Sequence, residues 1–323
     1  MGAAPRPIRT GSRRFPRSVE HRPARSSRPG GRPDVPQRLW LASLGWSGGA
    51  IYQRFSRRPN VPDHSGISQL GPSTRPIVTE KGEFTFEQLF RERRPWQISY
   101  GYRFERNHTF NPLAVPDAPL AFDVTVNVAR LTTTGLIDTR DDLVDATRGH
   151  SFSSTLEYGG AALGSDVRFV KQFLQESYYR SLGPRAVFAT SGRLGLARGF
   201  GQDLIPSEQF FAGGGNSVRG YGEATLGPQT ALGGTTGGNA LLVLNEELRF
   251  PIAWRFRGVA FLDAGNAFAT VSQIDLAELR VGVGLGLRMK TPFALLRVDL
   301  GKPLDRRPGE PSVRWFASIG QAF

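Results

Sequence analysis

Hydrophobic and polar residues alternate along most of the chain from residue 96 onward, which is the pattern of β-strands with two unlike faces. The clearest stretch covers residues 279–290. One face is wholly apolar and the other carries glycines and three cations: Leu279, Val281, Val283, Leu285, Leu287 and Met289 against Arg280, Gly282, Gly284, Gly286, Arg288 and Lys290. Three cations on one face need water or counter-charges there. A soluble sandwich would turn the apolar face inward, whereas a membrane barrel turns it outward to lipid, and this pattern favours the barrel.

The same period of two predicts further strands, separated by turn signals such as Gly159-Gly160 and Gly183-Pro184. The predicted strands cover residues 96–105, 122–128, 150–160, 165–179, 185–199, 239–251, 256–267, 279–290, 292–301 and 312–323. Because short turns join neighbouring strands, we expect antiparallel pairing. The sequence therefore predicts an all-β fold, an antiparallel transmembrane β-barrel portion over residues 96–323 with about ten strands.

Residues 39–95 are ambiguous. Residues 41–55 could form a strand, and residues 84–94 could form a strand or a short amphipathic helix. Four prolines between residues 59 and 76 keep the middle of this segment in a loop. With these first strands included, the predicted total reaches twelve.

Charge is distributed unevenly between the first 60 residues and the rest of the chain. The net charge is +13, but residues 1–60 hold thirteen arginines against Glu20 and Asp34, a balance of +11 that leaves +2 for the remaining residues. Residues 1–38 are rich in Arg, Pro, Gly and Ser, and we expect them to be a disordered tail. A nucleic-acid-binding arm, an unstructured extension and a start codon placed too early all fit this composition.

Export and membrane signals are weak in the sequence. No run approaches the roughly 18 apolar residues of a membrane-spanning helix, although barrel strands need only about 9–11 residues each. The apolar stretch at residues 39–46 begins too late for a secretory signal. The chain has no cysteine, so disulfides and thiolate metal sites are excluded.

An arginine stands inside a glycine-rich connection, residues 200–238, between two predicted strands. The motif is Val218-Arg219-Gly220-Tyr221, and its glycines allow a tight backbone path. Downstream, Asp263 alternates with apolar neighbours and therefore faces the polar interior, and Glu247 is a second inward-facing acid. Arg219 could pair with Asp263 and Glu247 if the loop folds back into the barrel. It could equally be a solvated arginine on a flexible external loop.

Catalytic, metal and cofactor motifs are not found in the sequence. The four histidines are scattered without metal-ligand spacing, and there is no nucleophile elbow or phosphate loop. The four aspartates between residues 138 and 145 do not have the spacing of a calcium loop, and a solvated turn explains them. We therefore predict no enzyme activity and no cofactor.

Several motifs together resemble one family. Val218-Arg219-Gly220-Tyr221, then Phe261-x-Asp263-x-Gly265, with a final aromatic strand, resembles the outer-membrane assembly-factor superfamily of BamA and TamA, the bacterial surface antigen domain, which also includes two-partner secretion transporters. Further matching stretches are Ile137 to Asp142 with Gly149, Asn245-x-Glu247-Leu248-Arg249-Phe250-Pro251, and Gly282-x-Gly284-x-Gly286-Leu287-Arg288. The resemblance covers residues 80–323. It implies that the loop enters the barrel and that Arg219 contacts Asp263.

The family barrel has sixteen strands and follows periplasmic POTRA repeats. On that pattern the chain corresponds to the C-terminal portion, without the repeats and about four or five early strands, and a gene fragment is the favoured interpretation. The last strand holds Trp315, Ile319, Gly320 and Phe323, and an aromatic end resembles the signal that assembly machinery recognises. We expect Phe323 on the lipid-facing register. An ordinary aromatic girdle residue would look the same.

The function implied by the resemblance is insertion of client proteins into the cell outer membrane. The expected partners are outer-membrane lipid, client outer-membrane proteins, and periplasmic or inner-membrane assembly factors, with no nucleic acid. A secretion pore of the same superfamily is the main alternative. A surface adhesin or enzyme on a barrel scaffold and a soluble nucleic-acid binder are alternatives from other classes.

Overall fold

The alternating pattern folds into one antiparallel sheet of twelve strands in the computed structural model. The structure describes residues 37–45, 78–93, 95–110, 123–230, 234–291, 294–320 and 322–323. All of them belong to the unit Pro36–Phe323. Of the predicted tail, residues 1–36 lie outside the described residues, and residues 37 and 38 fall in the first strand.

The strands follow the chain order, and each pairs with its neighbours in sequence. They are β1 Gln37–Gly45, β2 Val78–Arg93, β3 Trp96–Phe110, β4 Asp123–Asp138, β5 Gly149–Gly159, β6 Phe169–Ser181, β7 Val187–Gly199, β8 Ala240–Ala253, β9 Phe256–Phe268, β10 Arg280–Lys290, β11 Leu295–Pro303 and β12 Arg314–Ile319. The all-β antiparallel prediction is confirmed, with ten strands from residue 96.

The ambiguous segment before residue 96 supplies two strands. β2 is a strand and not the alternative amphipathic helix, and it pairs with β3 along nearly its whole length. β1 begins four residues before the predicted start at residue 41 and pairs with β2. Residues 46–55 of that predicted strand lie outside the described residues.

Four short 3-10 turns complete the secondary structure of the described residues: Ala161–Leu163, Pro206–Glu208, Val271–Gln273 and Leu276–Glu278. None of the helical segments described has the length and apolar character needed to cross a membrane.

The two faces of the sheet differ as the alternation predicts. The outward side chains are large, apolar and exposed, among them Ile98, Leu131, Leu248, Leu262, Leu285, Val298, Trp315 and Ile319. The inward side chains of the same strands include buried charged groups, among them Arg130, Glu247, Asp263, Arg288, Arg297 and Asp299. Exposed apolar residues outside and buried ions inside are the arrangement of a membrane barrel.

Side chains from distant strands meet across the inner face of the sheet, which shows that the sheet curls. Arg257 of β9 lies 2.9 Å from Asp145 in the connection between β4 and β5. Tyr179 of β6 donates a hydrogen bond to the carbonyl of Phe323, beyond β12, at 3.1 Å. In the described residues β1 and β12 are the edges of the sheet and do not pair with each other.

The end of the chain differs from the prediction. β12 stops at Ile319 and does not reach residue 323, because Gly320 adopts a φ of +103°, in the left-handed region that ends an extended strand. Phe323 then points inward: its ring stacks on Tyr179 at 6.4 Å and lies near the guanidinium of Arg249. The expected lipid-facing register is therefore right for Trp315 and Ile319 and wrong for Phe323.

Strand register places the inward acids and glycines close together. Asp263 of β9 stands opposite Asn245 of β8 and Gly282 of β10. Glu247 stands opposite Phe261, and Asp299 of β11 stands opposite Gly286. Three carboxylates from three strands therefore share one patch of the inner face, beside a row of glycines that leaves room for another chain segment.

Candidate functional site

The connection between β7 and β8 forms an inner loop, whose described residues, 200–230 and 234–239, fold back over the inner face. Its first part packs Leu204 and Phe210 with apolar residues of β4, β6 and β7. Its second part packs Val218 and Tyr221 with Leu241 and Val243 of β8. The inner loop therefore contacts much of the wall and is not an external solvated loop.

Glycines let the motif of the inner loop lie directly on the backbone of β10 and β11. Gly220 has a φ of +103°. A Cβ added at Gly301 would lie 2.5 Å from the amide nitrogen of Gly220, and one added at Gly282 would overlap the carbonyl oxygen of Arg219. The wall accepts the loop here because these strand positions lack side chains.

Arg219 is fully buried and binds Asp263 through one edge of its guanidinium. Its Nε and Nη2 donate to the two oxygens of Asp263 at 2.7 and 2.8 Å. The backbone N–H of Arg219 donates to the same carboxylate at 3.0 Å. The guanidinium carbon lies 3.6 Å from the centre of the Phe261 ring. A planar fork on a carboxylate, stacked on an aromatic ring, is geometry that lysine cannot reproduce.

Two more carboxylates complete the surroundings of Arg219. Its Nη1 donates to Glu247 at 2.6 Å and lies 3.4 Å from Asp299. Glu247 also accepts from Arg249 at 2.8 Å and from Arg288 at 3.2 Å. The loop arginine is thus one member of a buried network of alternating charges, which the low dielectric of the interior strengthens.

Further arginines hold the backbone of the inner loop. Arg193 of β7 donates to the carbonyl of Asn216 at 2.6 Å, and Arg297 of β11 donates to the carbonyl of Gly215 at 2.9 Å and to the side chain of Asn216 at 2.6 Å. Asn245 donates to the carbonyl of Ser217 at 2.8 Å and to Asp263 at 2.7 Å. The residues before Arg219 are therefore bound from two sides.

Tyr221 fixes the loop on the other side of Gly220. Its hydroxyl donates to the carbonyl of Val281 at 2.9 Å and also contacts Asp305. Burial and the neighbouring Asp305 carboxylate raise the pKa of Tyr221, so the hydroxyl keeps its proton and donates.

The structure brings together Val218, Arg219, Gly220, Tyr221, Glu247, Phe261, Asp263 and Gly265; a Cβ at Gly265 would lie 2.9 Å from Val218. Trp315, Ile319, Gly320 and Phe323 do not join this cluster. Sequence reasoning missed Asp299, Arg288 and Arg297 as members. The alternation of polar and apolar residues could have placed Arg297 and Asp299 on the inner face, since they alternate with apolar residues of β11. Arg288 alternates in the same way with apolar residues of β10.

Comparisons with known proteins give the family context of this site. The Omp85 superfamily domain matches residues 78–323. The chain is 32% identical over 197 residues to the outer membrane protein assembly factor BamA of Nitratidesulfovibrio vulgaris, covering 58% of this chain and 24% of that protein. It is 29% identical over 202 residues to a SAM50-like protein of Schizosaccharomyces pombe, covering 56% of this chain and 42% of that protein.

A solved structure matches the fold. The crystal structure of BamA from Haemophilus ducreyi lacking POTRA domains 1–3 superposes with a TM-score of 0.62 at 18% identity, covering 76% of this chain and 55% of that chain. At this identity the match supports the fold alone. The chain spans less than half the length of the two relatives above, and these come from a bacterium and a fungus.

Proposed function

The chain belongs to the Omp85 superfamily, and we propose that it forms the barrel of an assembly factor that inserts client proteins into the bacterial outer membrane. A relative with the name of such a factor shares 32% of aligned residues with it. The proposed partners are outer-membrane lipid, client barrel proteins and periplasmic or inner-membrane assembly factors.

The observation that carries this proposal is the buried network around Arg219. It joins the inner loop to β8, β9 and β11 through Glu247, Asp263 and Asp299. Of these strands, β11 pairs with β12, the C-terminal edge of the described sheet. Ion pairs that tie a loop to three strands would keep this part of the wall rigid.

A rigid wall beside a free edge suits insertion of a strand. β12 is only six residues long and pairs through Leu296 to Gly301 of β11. A client strand could add its backbone hydrogen bonds to such an edge, since strand addition to a sheet edge is a general mode of recognition. Unpaired edges inside a membrane are costly, which gives the added strand a driving force.

The experiment measures client folding in vesicles that contain the full chain. An outer-membrane barrel protein unfolded in urea serves as the client, and its heat-resistant folded form is followed by gel mobility. We expect faster folding than in protein-free vesicles, and loss of the acceleration with Arg219→Ala. Equal rates with and without the chain would contradict the proposal. Ion conductance without accelerated folding would instead favour a secretion pore of the same superfamily.

A further inference from the structure

The inner loop carries a second buried charge, Glu208, eleven residues before Arg219. Glu208 ends the 3-10 turn Pro206–Glu208 and is 1% exposed. Its Oε2 accepts from Arg130 of β4 at 3.0 Å and from Lys171 of β6 at 3.2 Å. A buried carboxylate that holds two cations from two strands is a firm attachment.

The wall residues that receive Glu208 also pair among themselves. Arg130 donates to Glu105 of β3 at 3.0 Å and lies 3.7 Å from Glu157 of β5. Lys171 lies 3.7 Å from the same Glu157. Without Glu208, two cations would still face two carboxylates, so its loss releases the loop and leaves the wall cluster paired.

The two attachments of the loop have opposite charge and lie on different walls. Glu208, an anion, binds cations of β4 and β6, whereas Arg219, a cation, binds carboxylates of β8, β9 and β11. This complementarity fixes which end of the segment meets which wall.

The segment between the two attachments is itself held. The Phe210 ring stacks on Phe173 of β6 at 6.2 Å, and Lys171 lies 5.3 Å from its centre. The backbones of Phe210 and Gly238 exchange two hydrogen bonds of 2.8 Å. The segment is therefore fixed in its middle as well as at both ends.

We propose that residues 208–219 form a tie across the barrel interior, and that Glu208 is a positioning residue that fixes the spacing between the β4–β6 wall and the β8–β11 wall. The inference rests on the proposed function for its role: the tie holds the rigid wall in place while a client strand pairs at the edge.

Spin-label distances in the full chain test the tie directly. The chain has no cysteine, so cysteines introduced at Leu131 of β4 and Leu262 of β9 are unique labelling sites. Both side chains face outward and are nearly half exposed, at 47% and 46%. We expect one narrow distance in the parent chain, a broader and longer distribution with Glu208→Gln, and a smaller change with Glu208→Asp.

Asp203→Asn is the matched control, because it removes one negative charge from an exposed position of the same limb of the loop. It should leave the distance unchanged. An unchanged distance with Glu208→Gln, or the same change with Asp203→Asn, would overturn the tie. This readout does not require client insertion, so its failure is distinct from failure of the proposed function.

Client folding then tests whether both attachments act as one device. A tie is lost when either of its two ends is released, so Glu208→Gln and Arg219→Lys should each slow client folding. Releasing the second end should then have no further effect, and the double variant should be no slower than the slower single variant. Gel mobility must show that each variant barrel is folded. Slowing factors that multiply in the double variant would mean two independent contacts and would contradict the tie.

Discussion

Removal of the Arg219 side chain should destabilise the barrel because it leaves a buried carboxylate without a cationic partner. Arg219→Ala takes two hydrogen bonds from Asp263, which keeps the Asn245 amide at 2.7 Å and a backbone N–H at 3.0 Å as neutral donors. Glu247 keeps Arg249 and Arg288 as cationic partners. The cost therefore comes mainly from Asp263.

The expected loss follows from the energetics of buried ion pairs. Breaking such a pair by removing one partner costs about 3–5 kcal/mol, because an uncompensated charge stays buried. Loss of the cation–π contact with Phe261 adds to this, by up to about 2 kcal/mol when fully desolvated. We expect Arg219→Ala to lower the free energy of unfolding by at least about 3 kcal/mol.

The assay is urea unfolding of the chain in lipid vesicles, followed by tryptophan fluorescence and gel mobility. Arg193→Ala is the control, since Arg193 binds a carbonyl and an amide oxygen, and its loss leaves no carboxylate unpaired. Adding Asp263→Asn to Arg219→Ala should recover more than about 1 kcal/mol, because the stranded charge is gone. A loss below about 1 kcal/mol, or no recovery in the double variant, would show that Asp263 does not become an uncompensated buried charge.

Three further predictions concern loop docking, the lipid face and acid stability. Gly301→Ala should displace the inner loop and so expose a cysteine introduced at Ser217 to maleimide labelling. Gly135→Ala, whose new Cβ has no atom within 4 Å, should leave the labelling unchanged, and equal labelling of the two variants would contradict the docking. Leu285→Arg should cost about 2–4 kcal/mol of folding free energy in vesicles, and Leu304→Arg, just beyond β11, about 0–1 kcal/mol; equal costs would contradict the assigned lipid face. Burial alone would raise the pKa of Asp141, but hydrogen bonds from Thr147 and the backbone outweigh it and lower the pKa to about 2. Since its usual pKa is 3.8, the contribution of Asp141 to stability should be full above about pH 4 and lost as the pH falls through 2. Asp141→Asn should therefore matter less at pH 2 than at pH 5 in the same unfolding assay, and a constant difference would contradict this.

Most of the sheet could be predicted from the sequence because each strand has one apolar and one polar face. In β10, for example, the alternation alone identifies the strand and the side that faces lipid. Asp263 and Glu247 could be placed inside for the same reason. The family motifs then connected them with Arg219.

Contacts that depend on the register between strands or on the conformation of an irregular loop could not be predicted. Asp299 faces inward by alternation, but its approach to Arg219 depends on the register of β10 and β11. Glu208 lies in a loop without periodicity, so nothing in its neighbours indicates that it meets Arg130 and Lys171. Phe323 was misplaced because the left-handed residue Gly320 ends the extended strand, and the Phe323 ring lies against Tyr179.

A disulfide between the inner loop and β9 would show whether the motif around Arg219 is docked on the inner face. Val218→Cys and Gly265→Cys place two cysteines side by side, because a Cβ at Gly265 lies 2.9 Å from a methyl of Val218. The pair Leu262→Cys and Val283→Cys, opposite each other on β9 and β10, controls for oxidation. We expect both pairs to form disulfides in the folded barrel. A control pair that closes while the 218–265 pair stays reduced would contradict it.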